Sequence, residues 1–202
     1  NRGWGELDAA VADVQAAAQA GLPAAEYLMA ELSAGFRGRA ADQVAVREWF
    51  EKAAAHKHRD AQLQLGLMYL TGFGVKRQPE LGFRWVKAAA EQGQPIACEQ
   101  LGSLYFAGQG TQASEAEAFR WYQKGAAAGM LNAQSMLAQF YRNGTGTATN
   151  LEQARYWYER AAKGGWPQAQ FCLSQMYALG ECGLSKDRTQ ALKWLRAAAI
   201  SG

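Results

Sequence analysis

Residues 61–93 read AQLQLGLMYLTGFGVKRQPELGFRWVKAAAEQG. Ala61, Leu65 and Tyr69 fall on one stripe of a helix, because residues four apart share a face. Gly72 and Gly74 end that helix, since glycine accepts the left-handed conformation at a helix C-terminus. Trp85 then belongs to a second helix, which closes on an alanine-rich turn and Gly93. The stretch is a helical hairpin, and it recurs. Trp49, Trp85, Trp121 and Trp157 stand 36 residues apart, and Trp194 follows after 37. Ala25, Ala61, Ala97, Ala133 and Ala169 open the units, with Met29, Leu65, Leu101, Leu137 and Leu173 behind them. Tyr69, Tyr105, Tyr141 and Tyr177 mark the end of the stripe, where the first unit has Ser33. A fixed period of this size is the signature of a repeat array.

The second helix of each unit has its own start signal. Asp42, Ser114, Asn150 and Asp187 are good N-cap types, and Ser114 with Glu117 makes a capping-box pattern. The second unit has Gln78 followed by Pro79, which is well tolerated at the first helical position. Pro95 and Pro167 lie just before the first helix of their units, where they stop the preceding helix from running on. One hairpin cannot bury its apolar stripe alone, so stability comes from stacking on neighbours. The repeated tryptophans are expected in that core.

These residues resemble the Sel-one-like repeat (SLR) family, cousins of the tetratricopeptide repeat with a slightly longer unit. The pattern Ala-x-x-x-Leu-Gly-x-x-Tyr-x-x-Gly-x-Gly, a spacer and Ala-x-x-Trp-x-x-Lys-Ala-Ala-x-x-x-Gly is matched closely by residues 61–93, 97–129 and 133–165. The first unit deviates, with Phe36-Arg-Gly38 for the paired glycines; the last reads Gly180-Glu-Cys-Gly183, with one extra residue, and closes on Gly202. The resemblance implies an all-α fold: a right-handed superhelical solenoid of stacked antiparallel helix pairs, five repeats plus an N-terminal helix. The expected organisation is a single domain over 1–202, with a cap or partial repeat at 1–21. The repeats run at about 24–57, 60–93, 96–129, 132–165 and 168–202.

Composition excludes several classes. The net charge is +3 with lysine and arginine scattered over every repeat, whereas a nucleic-acid surface clusters them on one face. No run approaches the length of apolar residues that spans a bilayer. A chain opening on Asn1-Arg-Gly-Trp shows no signal peptide and reads as trimmed or processed. The compartment stays open between bacterial periplasm and cytoplasm, a processed N-terminus favouring the periplasm. Some SLR relatives carry a disulfide in every repeat, but Cys98, Cys172 and Cys182 do not recur at a fixed repeat position. If helical, Cys172 and Cys182 lie about 15 Å apart, too far for a bridge unless the loop folds back.

His56 and His58, with Asp60 as third candidate, fall short of a zinc ligand set and read as an exposed turn. No phosphate loop or His-Glu-x-x-His motif occurs, and no cofactor is expected. No residue set reads as an enzyme. Function then falls to the concave stripe of the first helices: Asp60, Leu63 and Leu67; Glu99, Ser103 and Phe106; Asn132, Ser135, Gln139 and Arg142; Gln168, Phe171 and Gln175. Apolar anchors with a polar rim suit a protein or peptide partner. The resemblance implies an adaptor or scaffold. The family also includes immunity proteins that neutralise bacterial toxin effectors, and relatives described as binding or hydrolysing β-lactams. The last role would need an activated serine, with Ser103 and Ser135 the ones to test. Oligomeric state is left open.

Overall fold

The computed structural model describes residues 2–35 and 42–201, with side chains from residue 7 onward. Phe36-Arg-Gly38 and Gly202 lie outside the described residues. Among the described residues there are eleven helices and no strand. Contacts gather them into two compact units, residues 1–97 with 109–111 and residues 98–108 with 112–202.

The first unit holds α1 (Arg2–Gln19), α2 (Pro23–Ser33), α3 (Gln43–Ala55), α4 (Arg59–Thr71), α5 (Pro79–Glu91) and the start of α6 (Pro95–Ala107). From α1 to α5, each helix packs on the next in chain order. Its core joins Ala30, Val46, Phe50, Ala53, Ala54, Ala61, Leu65 and Met68. Gly82 lets α4 and α5 cross closely, because a Cβ there would sit 2.8 Å from the Gly66 carbonyl oxygen. The second unit holds the rest of α6, α7 (Glu115–Ala127), α8 (Leu131–Asn143), α9 (Leu151–Lys163), α10 (Pro167–Leu179) and α11 (Arg188–Ser201). From α7 to α11, each again packs on the next.

The predicted N-caps hold. Asp42 accepts from the Val44 and Ala45 amides, Ser114 from Glu117, Asn150 from Gln153, and Asp187 from Thr189 and Gln190. The capping box is only half formed. The Ser114 amide donates to the Tyr105 carbonyl at 2.9 Å, while the Glu117 carboxylate pairs with Arg120. That backbone bond is general: Asp42 donates to Ser33, Gln78 to Tyr69, Asn150 to Tyr141 and Asp187 to Tyr177, all at 2.8–3.0 Å. It ties the mouth of every hairpin at the landmark residue. Pro95 and Pro167 open α6 and α10 as first residues rather than preceding them.

The tryptophans correct the sequence reading of depth. Trp121 is buried, but Trp49, Trp85, Trp157 and Trp194 are half-buried. Lys52 and Lys124 lie 4.1 and 3.8 Å above the Trp49 and Trp121 rings. In the first four repeats the deep anchor is the next residue: Phe50, Val86, Tyr122 and Tyr158 are all buried, with exposures from 0 to 6%, whereas Leu195 after Trp194 is exposed. In the repeats of Trp49 and Trp121 the indole carries a cation over its ring, while its neighbour fills the interior.

The two histidines also do more than line an exposed turn. His56 Nδ1 lies 2.7 Å from Oε2 of the buried Glu26, and His58 Nδ1 accepts from the Ala61 amide at the start of α4. Among the described residues no group of three or more His, Cys, Asp or Glu could hold a metal ion. All three cysteines are free. The loop nevertheless folds back, since Cys182 is buried in the same cluster that Cys172 packs against.

Candidate partner-binding site

Along α8, Asn132, Ser135, Met136, Gln139, Arg142 and Asn143 stand at helical spacings of three and four, so they share a face. This face forms one wall of a cavity of about 580 Å³ within the second unit. Gln168 and Cys172 of α10, Trp166 just before it and Tyr158 of α9 complete the lining. The rim is amide-rich: Gln139, Asn143 and Gln168 are exposed, and Asn132 is half-buried.

Two polar systems frame the cavity. At the far end of α8, the Arg142 guanidinium donates to Glu181 Oε2 at 2.7 Å, with both side chains about one-third exposed. Burial pushes the Tyr158 phenol far above its ordinary pKa of 10.0, and its hydroxyl bonds the Cys172 thiol and meets Arg142. Burial likewise pushes the Cys172 thiol up, so it is held as a neutral thiol and not as a nucleophilic thiolate. At the near end, Asn132 Nδ2 donates to Glu99 Oε1 at 3.0 Å. Ser103 Oγ lies 2.9 Å from the Tyr122 hydroxyl, whose pKa burial also raises.

Of the residues singled out in the sequence, Asn132, Ser135, Gln139, Arg142 and Gln168 come together around this cavity. Glu99 joins them through Asn132, and Ser103 is engaged with Tyr122. Phe171 and Gln175 are exposed on α10 without lining the cavity, and Phe106 packs at a tilt on Phe140, with ring centroids 5.4 Å apart. In the first unit, Asp60 accepts from Gln94 at 3.3 Å, Leu67 is half-buried and Leu63 is buried with 3% exposure. Leu63 therefore serves the interior of the free chain. Tyr158, Trp166, Cys172 and Glu181 were not read as binding-site residues, because they come from other register positions of the repeat. A signal existed for Tyr158, which follows a landmark tryptophan.

The Sel1 repeat model matches residues 23–58, 59–94, 95–130, 131–166 and 167–202. The chain belongs to the Sel1 repeat family. A solved Sel1 repeat protein from Oxalobacter formigenes is 32% identical, with a TM-score of 0.84 over 96% of this chain and 79% of that one. A protective antigen present in uropathogenic Escherichia coli strains, displaying an SLR fold, is 28% identical with a TM-score of 0.72. That likeness covers 96% of this chain but 49% of the antigen. An immunity protein from Pseudomonas aeruginosa shares the fold at 19% identity and a TM-score of 0.54, over 89% of this chain and 66% of that one. No curated protein matches. The Sel1 fold is commonly a protein-interaction module, and no helix among the described residues is long and apolar enough to cross a membrane.

Proposed function

We propose that this chain is a protein-interaction module that takes an extended segment of a partner protein in the α8–α10 cavity. The observation that carries the reading is the amide-rich lining of Asn132, Gln139, Asn143 and Gln168 around a cavity of about 580 Å³. A side-chain amide offers donors and an acceptor together, which matches the peptide groups of an extended chain. The volume lies in the range of specific ligand pockets. Met136 and Trp166 add apolar surface for a side chain of the segment. Pull-down with the immobilised chain, followed by titration of the retained protein, tests this. Gln139→Ala with Gln168→Ala should weaken binding by about tenfold or more, through hydrogen bonds lost at the rim, without moving the melting temperature. Unchanged affinity with an intact fold would place the partner elsewhere. If the retained protein is a toxin effector whose activity falls on binding, the module acts as an inhibitor rather than as an adaptor.

A further inference from the structure

We propose that Glu99 and Asn132 read a positively charged side chain, lysine or arginine, on the segment that occupies this cavity. The inference rests on the cavity being the binding site. Glu99 is a buried acid with 9% exposure. Its Oε1 is held by Asn132 Nδ2 at 3.0 Å, while its Oε2 is enclosed without a donor. It is the one buried carboxylate oxygen among the described residues left so. The other buried acid, Glu26, has a basic partner in His56 at 2.7 Å. No lysine or arginine among the described residues is ion-paired with Glu99 within the second unit.

The repeat does not need an acid at this place. The equivalent positions of the other repeats are Tyr27, Leu63, Ser135 and Phe171. Glu99 is thus a particular feature of one repeat, and the residue that bonds it, Asn132, lines the cavity. Asn132 connects it to the cavity. With Nδ2 donating to the carboxylate, the amide carbonyl is the acceptor left for the cavity side, and hydrogen bonds in a chain polarise one another. A cationic donor on the segment would meet that carbonyl in the field of the uncompensated carboxylate. An anion would meet repulsion there. The opposite end of α8 lacks this demand, because Arg142 is already closed by Glu181. Ten residues of helix separate Asn132 from Arg142, about 15 Å, which an extended segment covers in roughly five residues. The recognised segment therefore carries its basic residue at the Asn132 end.

The test uses the whole chain labelled with ¹³C and ¹⁵N. Three capped pentapeptides serve as probes, identical except for a central arginine, citrulline or glutamate; citrulline is the neutral isostere of arginine. The signals followed are the Asn132 side-chain amide and the Glu99 carboxyl carbon, with the Gln139 and Gln168 amides reporting on the cavity itself. The arginine peptide should shift all four saturably at millimolar concentration and bind about tenfold tighter than the citrulline peptide, as a charge-assisted bond predicts. Glu99→Gln should bring the arginine peptide down to the citrulline level. Equal binding of the three peptides, with Gln139 and Gln168 responding, would overturn the charge reading and leave the cavity reading standing. No response at any of the four groups would overturn both. The comparison of peptides on the unmutated chain decides the matter even if the Glu99 variant fails to fold.

Discussion

Replacing Tyr122 tests where the interior of the second unit lies. The side chain is 1% exposed, its ring lies 5.4 Å from Phe140 at a steep angle, and its hydroxyl is 2.9 Å from Ser103 Oγ. It also meets Gly102 so closely that a Cβ there would be 3.0 Å from two ring carbons. Truncating a buried aromatic to alanine costs about 3–5 kcal/mol, and the loss of the paired ring adds about 1 kcal/mol. Tyr122→Ala should therefore cost about 4–6 kcal/mol. Tyr122→Phe keeps the ring and removes the hydroxyl partner of Ser103, for about 1–2 kcal/mol. Trp49→Ala should cost only about 2 kcal/mol, since its ring is half-buried and less of its area leaves water. Urea titration followed by tryptophan fluorescence gives the three values. Hydrogen exchange should place the Tyr122 losses in α7 and α8, because contacts between repeats act locally. A Trp49→Ala loss as large as that of Tyr122→Ala would refute the assignment of depth. So would a Tyr122→Phe loss equal to that of the alanine variant.

Three further outcomes are expected. Gly146→Ala should cost about 2 kcal/mol or more in a denaturation midpoint, since the residue has φ +64° and a Cβ would meet the Glu115 carbonyl oxygen. Asp42→Ala should cost about 1 kcal/mol by removing the cap of α3, with Asp42→Asn close to neutral in the same melt. Burial raises the Tyr158 pKa in the folded chain, so its contribution to stability is complete below the ordinary tyrosine value near 10 and is lost as pH rises above it. Tyr158→Phe should flatten the fall in urea midpoint above that pH, and an unchanged slope would count against the buried phenol.

The hairpins were legible in the sequence because their period is set by local geometry. A stripe at offsets of four, a glycine stop and a side-chain cap each act within one turn of helix. What was not legible depends on contacts between turns distant in the chain. The residue after the landmark tryptophan is Phe50, Val86, Tyr122 and Tyr158 in the first four repeats and the exposed Leu195 in the last, so no one residue type marks it as the anchor throughout. Gln62, Gln134 and Gln170 are polar, yet all three are buried. Each donates to a carbonyl of the preceding helix, Ala54, Ala126 and Ala162, at 3.1–3.2 Å. The candidate site was half legible. The face of α8 follows from its spacing, whereas Tyr158, Trp166 and Glu181 reach the site only through how α9, α10 and the last loop fold beside it.

The backbone tie at the mouth of each hairpin has a consequence for how such chains can diversify. Nine residues separate its two ends in the first four repeats, and ten separate Tyr177 from Asp187, yet the N–H···O=C distance stays at 2.8–3.0 Å throughout. The extra residue is absorbed by a loop in which Cys182 turns with φ +53° and buries its thiol. Segment length at this point is thereby uncoupled from the register of the helices. The exposed Ser185–Lys186 step is therefore the natural graft point, since a loop spliced in there leaves Glu181 on Arg142 and the buried Cys182 and half-buried Leu184 in their packing.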